Sequence, residues 1–276
     1  MFAHEFMRNA FLAGSFVALA CGLVGYFVVL RGQVFAGDAF SHVAFTGALA
    51  AAAAGVAIRL GLFTATILVA IGMGLLGERA RADDVVIGSV FAWILGLGVL
   101  FLSIFTAGAS GTNGAAGVRV LFGSIFGLSG GDARFAAVLA LIAALALLAI
   151  ARPLLLSSLD LDVARGLGVP VRLLALGFLV LLAIVAAEAT QAVGALLLLG
   201  LLAAPAGAAR LLTTRPWRGL ALSGALSVAA MWAGLALSYE LASLPPSSAI
   251  IGCATLVYVV AAIWSRSARP LVDPDG

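Results

Sequence analysis

Apolar runs of roughly 20 residues, parted by short turns that hold most of the arginines, recur along this chain and leave it one architecture. A bilayer's hydrocarbon core is about 30 Å thick, so a spanning helix needs about 20 predominantly apolar residues. Inside that core each backbone N–H and C=O must be satisfied within its own segment, which selects helices over open strands. With 64% apolar residues, 10% charged and a mean hydropathy of +1.22, no water-soluble globular core accounts for the chain. The expectation is all-α: one polytopic transmembrane bundle over residues 1–276 with about eight or nine helices.

Runs and breakers place helices near Phe6 to Leu30, Val34 to Ala54, Leu60 to Leu76, Val85 to Thr106, Phe135 to Leu156, Arg172 to Ala187, Ala192 to Leu212, Trp217 to Tyr239 and Ala249 to Trp264. The weakest division is the turn Glu188 to Gln191, so an eight-helix count with a kinked or re-entrant segment stays open. No small-residue cleavage site follows the N-terminal Met1 to Arg8 at a plausible distance, and the first run is expected to be retained. Cys21 and Cys253 fall within apolar runs and read as small packing residues.

All fifteen basic residues are arginine. A phosphate-binding P-loop needs a lysine, so the chain cannot hydrolyse ATP by itself and is not expected to be an enzyme. The arginines are isolated between apolar runs, with no clustered basic footprint for nucleic acid. They report topology instead, because short cytoplasmic loops keep positive charge. Arg31, the Arg79 and Arg81 pair, the Arg210, Arg215 and Arg218 group, and Arg266 with Arg269 mark the inside, against Arg59, Arg119 and Arg134 outside. The C-terminal tail, 266–276, is then cytoplasmic and the N-terminus, with nine spans, external.

Two connectors are more than turns. The Gly-rich stretch Ala107 to Gly117 leads into Val118 to Leu128, too short to span and read as an interfacial or re-entrant piece outside. On the inside, residues 158–168 hold a short helix from about Leu159 to Leu167, capped by Ser158 or Asp160 and stopped by Gly168 before Pro170. Its polar members are Asp160, Asp162 and Arg165, with Gly166 near its end. A membrane protein has little use for such a helix unless something docks there.

Asp38 and His42 stand four residues apart in the second run, on one face of a helix. Burying an aspartate at mid-membrane costs roughly 3 kcal/mol, which makes it a functional hypothesis by default. One oxygen and one nitrogen suit a borderline divalent cation such as zinc or manganese. Two ligands hold a metal loosely, as a conducting site must, and a second subunit or Glu188 could complete the set transiently. A local Asp38 to His42 hydrogen bond and a proton relay are the alternatives at this point. Glu188 and Glu240, at helix ends, are candidate outer-mouth cation collectors or plain solvated residues. Gly194, Gly200, Pro205 and Gly207 along one run allow a kink and close packing.

Taken in order, several segments resemble the ABC-3 family of metal-ion importer permeases. They are Phe27 to Arg31, Gly37 to His42, Asp83 to Gly88, Leu121 to Ile125, Ala164 to Pro170, Val193 to Leu197 and Ala204 to Leu212. Each is short; their order and spacing over nearly the whole chain carry the specificity. The resemblance implies an inner-membrane, multi-pass permease that works as a homodimer, without a permanently bound cofactor, moving zinc, manganese or iron into the cytoplasm. It implies that residues 159–167 seat in a groove of a cytoplasmic ABC ATPase dimer, that an external solute-binding protein delivers the metal, and that Asp38 and His42 are the intramembrane metal pair. Two departures stand out: Pro245-Pro246-Ser247-Ser248 replaces a Pro-Pro-Gly-Pro pattern, and the outer Gly-rich loop is long. The rival readings are a proton-coupled secondary carrier, for which no internal repeat is evident, a membrane subunit that transports nothing, and a permease for metal chelates or corrinoids.

Overall fold

Every apolar run forms a helix in the computed structural model, which describes residues 4–76, 84–107, 123, 125–195, 198–241 and 243–267. The elements are α1 Glu5–Leu30, α2 Val34–Ala53, α3 Ile58–Leu76, α4 Asp84–Ala107, a 3-10 turn Ile125–Gly127, α5 Gly130–Leu159, α6 Leu161–Gly166, α7 Val171–Val193, α8 Leu198–Leu212, α9 Pro216–Glu240 and α10 Pro246–Ser267. Eight are long and apolar enough to cross a membrane, and α8 is a shorter apolar helix. The expected inside loop with Arg79 and Arg81, most of 107–124 including Arg119, Asp83, Leu196, Leu197 and the tail from 268 onward with Arg269 lie outside the described residues.

The division expected at Glu188 to Gln191 is displaced. α7 runs unbroken through Glu188 to Val193, and Gly194, with φ +98° and its N–H on the Thr190 carbonyl at 3.0 Å, ends it. A β-carbon is strained at that φ, so the glycine and not the glutamate sets the break. Gly194 thus separates two helices and does not kink one. With fifteen residues α8 spans only about 22 Å. Gly194 and Ala195 are buried, as non-helical backbone at membrane depth must be. Pro205 lies inside α8, and a β-carbon on Gly207 would stand 2.9 Å from the Tyr258 ring of α10. α5 begins five residues earlier than expected because Ser129 caps it: its Oγ accepts from the Asp132 N–H at 3.2 Å.

Side-chain bonds identify which ends lie together. Arg31 Nη1 donates to Ser158 Oγ at 3.2 Å, and Arg210 Nη1 to the Val29 carbonyl at 3.1 Å. At the other end Arg59 pairs with Asp132 at 2.6 Å and Asn9 donates to the Leu128 carbonyl at 3.3 Å. α1 is the buried axis, packed on α5, α7, α8 and α9, whereas α2 packs on α3, α4 and α7. α4 rests mainly on α2 and leaves Trp93, Val99 and Leu100 exposed to the apolar surroundings.

Small residues let these helices approach. A β-carbon on Gly47 of α2 would strike the Gly61 carbonyl oxygen of α3, and one on Gly61 the Gly47 carbonyl. Backbone cannot yield as a side-chain tip can, so Gly47→Leu is expected to cost about 1–3 kcal/mol by overpacking. A fall in the thermal midpoint of the detergent-solubilised chain checks this; an unchanged midpoint would show that α2 and α3 separate freely.

Candidate functional site

α2 starts after the buried Gln33 and the glycine turn at Gly32, whose φ is +68°. Asp38 lies four residues into the helix and His42 eight, so they stand about 6 and 12 Å along its axis. Asp38 is therefore nearer the Arg31 end of α2, whereas His42 lies close to its middle. Both side chains are half-buried. The His42 ring meets Phe91 of α4 edge to face, with centroids 5.1 Å apart at 79°. The local polar bond is made one turn away, where Ser41 Oγ donates to the Asp38 backbone carbonyl at 2.7 Å.

Among the described residues no hydrogen bond or ion pair reaches the Asp38 carboxylate or the His42 imidazole, and the mutual bond considered from the sequence is not formed. Nor do three or more His, Cys, Asp or Glu side chains there gather as a metal cluster. One chain thus offers two potential ligand side chains on the same face of one helix, neither of them hydrogen-bonded or ion-paired among the described residues.

Glu188 corrects an expectation. It is not a solvated helix-end charge: it sits inside α7 at 4% exposure, and Oε2 has no hydrogen-bond partner. It lines a narrow crevice with Val17 and Ala20 of α1 and Leu139, Ala140 and Ala143 of α5. Its neighbour Ala187 packs on Ala44 and Ala48 of α2, so α7 turns Glu188 away from the helix that carries Asp38. The structure does not bring the two acids together. Glu240 is exposed at the end of α9, as the sequence suggested.

At the Arg31 end, Asp160 is the cap chosen between the two candidates. Its Oδ1 accepts from the N–H groups of Asp162 and Val163 at 3.0 and 2.9 Å, which starts α6. Gly168, with φ +74°, ends the turn as expected. Arg165 lies 3.6 Å from Asp162 in an exposed pair worth little energetically. Ala164 is buried against Val171 and Ala175, which fixes α6 on α7. Leu159, Val163 and Leu167 instead stand out at 64%, 48% and 69% exposure, spaced four residues apart. Only Val163 lies within α6, Leu159 ending α5 and Leu167 following α6, and all three were hidden in the sequence among so many apolar residues. Phe91 as the ring beside His42 had no sequence signal, because it depends on how α4 crosses α2.

A profile of the ABC 3 transport family matches residues 3–265. The chain is 29% identical over 268 residues to a manganese transport system membrane protein, MntC, of Halalkalibacterium halodurans, covering 96% of this chain and 89% of that one. It is 31% identical over 264 residues to a probable iron transport system membrane protein of Haemophilus influenzae, covering 95% and 94%. Among solved structures, PsaBC from Streptococcus pneumoniae in complex with Fab superposes with a TM-score of 0.81 at 25% identity, covering 94% of this chain and 91% of that one.

Proposed function

The chain belongs to the ABC 3 transport family, and from that membership we propose that it is the permease subunit of an ATP-driven importer for a divalent transition-metal ion, manganese or iron. The observation that carries the metal role is the Asp38 and His42 pair, half-buried on α2 with no hydrogen bond or ion pair to either side chain among the described residues. A charged side chain facing lipid is costly, so a half-open acid on a membrane helix requires water or a second protein surface beside it. Two copies of the chain facing each other there would supply four ligands, two oxygens and two nitrogens, a complete tetrahedral set for a metal. Zinc shares that ligand chemistry, and selection among the three ions would rest with the binding protein that delivers them.

The pair would act as a waypoint: it binds the ion better in the outward state than in the inward one, since equal affinity for both drives nothing. Energy would come from a separate ABC ATPase docked at 159–167, because this chain has no lysine for a P-loop. The Arg31 and Arg210 end, and the C-terminus with it, would face the cytoplasm. Membership in this family leaves the proton-coupled carrier without support.

The test is uptake of radioactive manganese or iron by vesicles holding the chain with its ATPase and binding protein. Uptake should need ATP and persist with a protonophore. Transport that ignores ATP and collapses with the proton gradient would overturn the assignment.

A further inference from the structure

Between α8, α9 and α10 lies an apolar slot of about 380 Å³, within the size range of small-molecule sites. It is lined by Leu212 of α8, Leu226 of α9, and Leu256, Val260, Ala261 and Trp264 of α10. Leu226 lies ten residues from the start of α9 and Leu256 eleven from the end of α10, each about 15 Å along its helix. The slot therefore runs from mid-bilayer to the end of the bundle that carries Arg31, the length of one leaflet's hydrocarbon, about 15 Å.

Its mouth is basic. Arg215 caps the start of α9 at that end and is exposed. Arg218 and Arg266 are exposed at the same ends of α9 and α10. Among the described residues no carboxylate pairs with any of the three. Trp217 and Trp264, 51% and 69% exposed, mark the membrane interface at that level.

We propose that this slot binds an anionic phospholipid, one acyl chain lying along Leu226 and Val260 and the phosphate held at Arg215 with Arg218 and Arg266 beside it. A second copy of the chain is the less suitable occupant. A two-fold contact sets a patch against itself, and here it would bring like-charged arginines together.

The test uses the full-length chain in nanodiscs of equal phosphatidylglycerol and phosphatidylcholine, then counts the lipids retained by native mass spectrometry after detergent stripping. Wild type should retain phosphatidylglycerol over phosphatidylcholine. Arg215→Gln should lower phosphatidylglycerol retention about fivefold, the effect of one arginine at an anionic surface, and leave phosphatidylcholine unchanged. Ala261→Trp, which fills the slot, should lower retention of both. Equal retention of the two lipids by wild type overturns the proposal, and so does a normal Arg215→Gln. Glycerol phosphate that binds wild type and Ala261→Trp alike would reduce the site to its arginines, and an Ala261→Trp that changes the oligomeric state would assign the slot to a second copy; either result overturns it.

Discussion

Asp38→Ala and His42→Ala are each expected to lower manganese or iron uptake by about a hundredfold or more, since loss of even a residue that only supports a metal ligand costs 10–100-fold. Neither residue is bonded to the rest of the fold through its side chain, so both variants should fold and reach the membrane normally. Asp38→Asn separates charge from shape: it keeps the size and loses the anionic oxygen, and should fail nearly as badly as alanine. His42→Gln keeps a polar donor and acceptor but removes the imidazole. ATPase binding should be unchanged in all four, which distinguishes a lost ligand from a lost complex. Normal uptake in both alanine variants would remove the pair from the ion path.

The second large effect belongs to the exposed stripe Leu159, Val163 and Leu167. Asp160 caps α6 and Ala164 pins it to α7, so Val163 is held in place and presented outward between Leu159 and Leu167. Val163→Asp places a charge at the centre of a surface that a partner would have to desolvate, and a central contact of that kind typically carries 2 kcal/mol or more. Association with the ATPase should weaken by about thirtyfold, with transport lost in parallel. The fold should survive, because Val163 points away from the cluster that holds α6 in place. Asp162→Ala, which breaks only an exposed ion pair, should change little. An unimpaired complex in Val163→Asp would place the docking surface elsewhere.

The membrane fold was legible because length and hydropathy alone force it: about 20 apolar residues between arginine-bearing turns admit only a helix. The α7 to α8 boundary was misread because Glu188 looks like a helix end to any rule that expects charge at the interface. In the structure a carboxylate is buried in α7 while Gly194, chemically silent, does the breaking. Asp38 and His42 could be paired from spacing alone, but not their depth or the Phe91 ring, which follow from the turn at Gly32 and the crossing of α4. The exposed set Leu159, Val163 and Leu167, on α6 and at either end of it, was hidden for the opposite reason. In a sequence this apolar, three more aliphatic residues carry no signal until the fold leaves them outside.

The bond between Arg31 and Ser158 has a mechanical consequence. Ser158 stands two residues before Asp160, the cap of α6, and Arg31 seven residues before Asp38. A motor pushing on α6 would thus act through a short lever that meets, at Arg31, the turn between α1 and the helix of Asp38 and His42. Such gearing transmits small strokes without needing a long helix to bend. Cutting the bond with Ser158→Ala would leave both ends of the machine intact and uncouple only their timing.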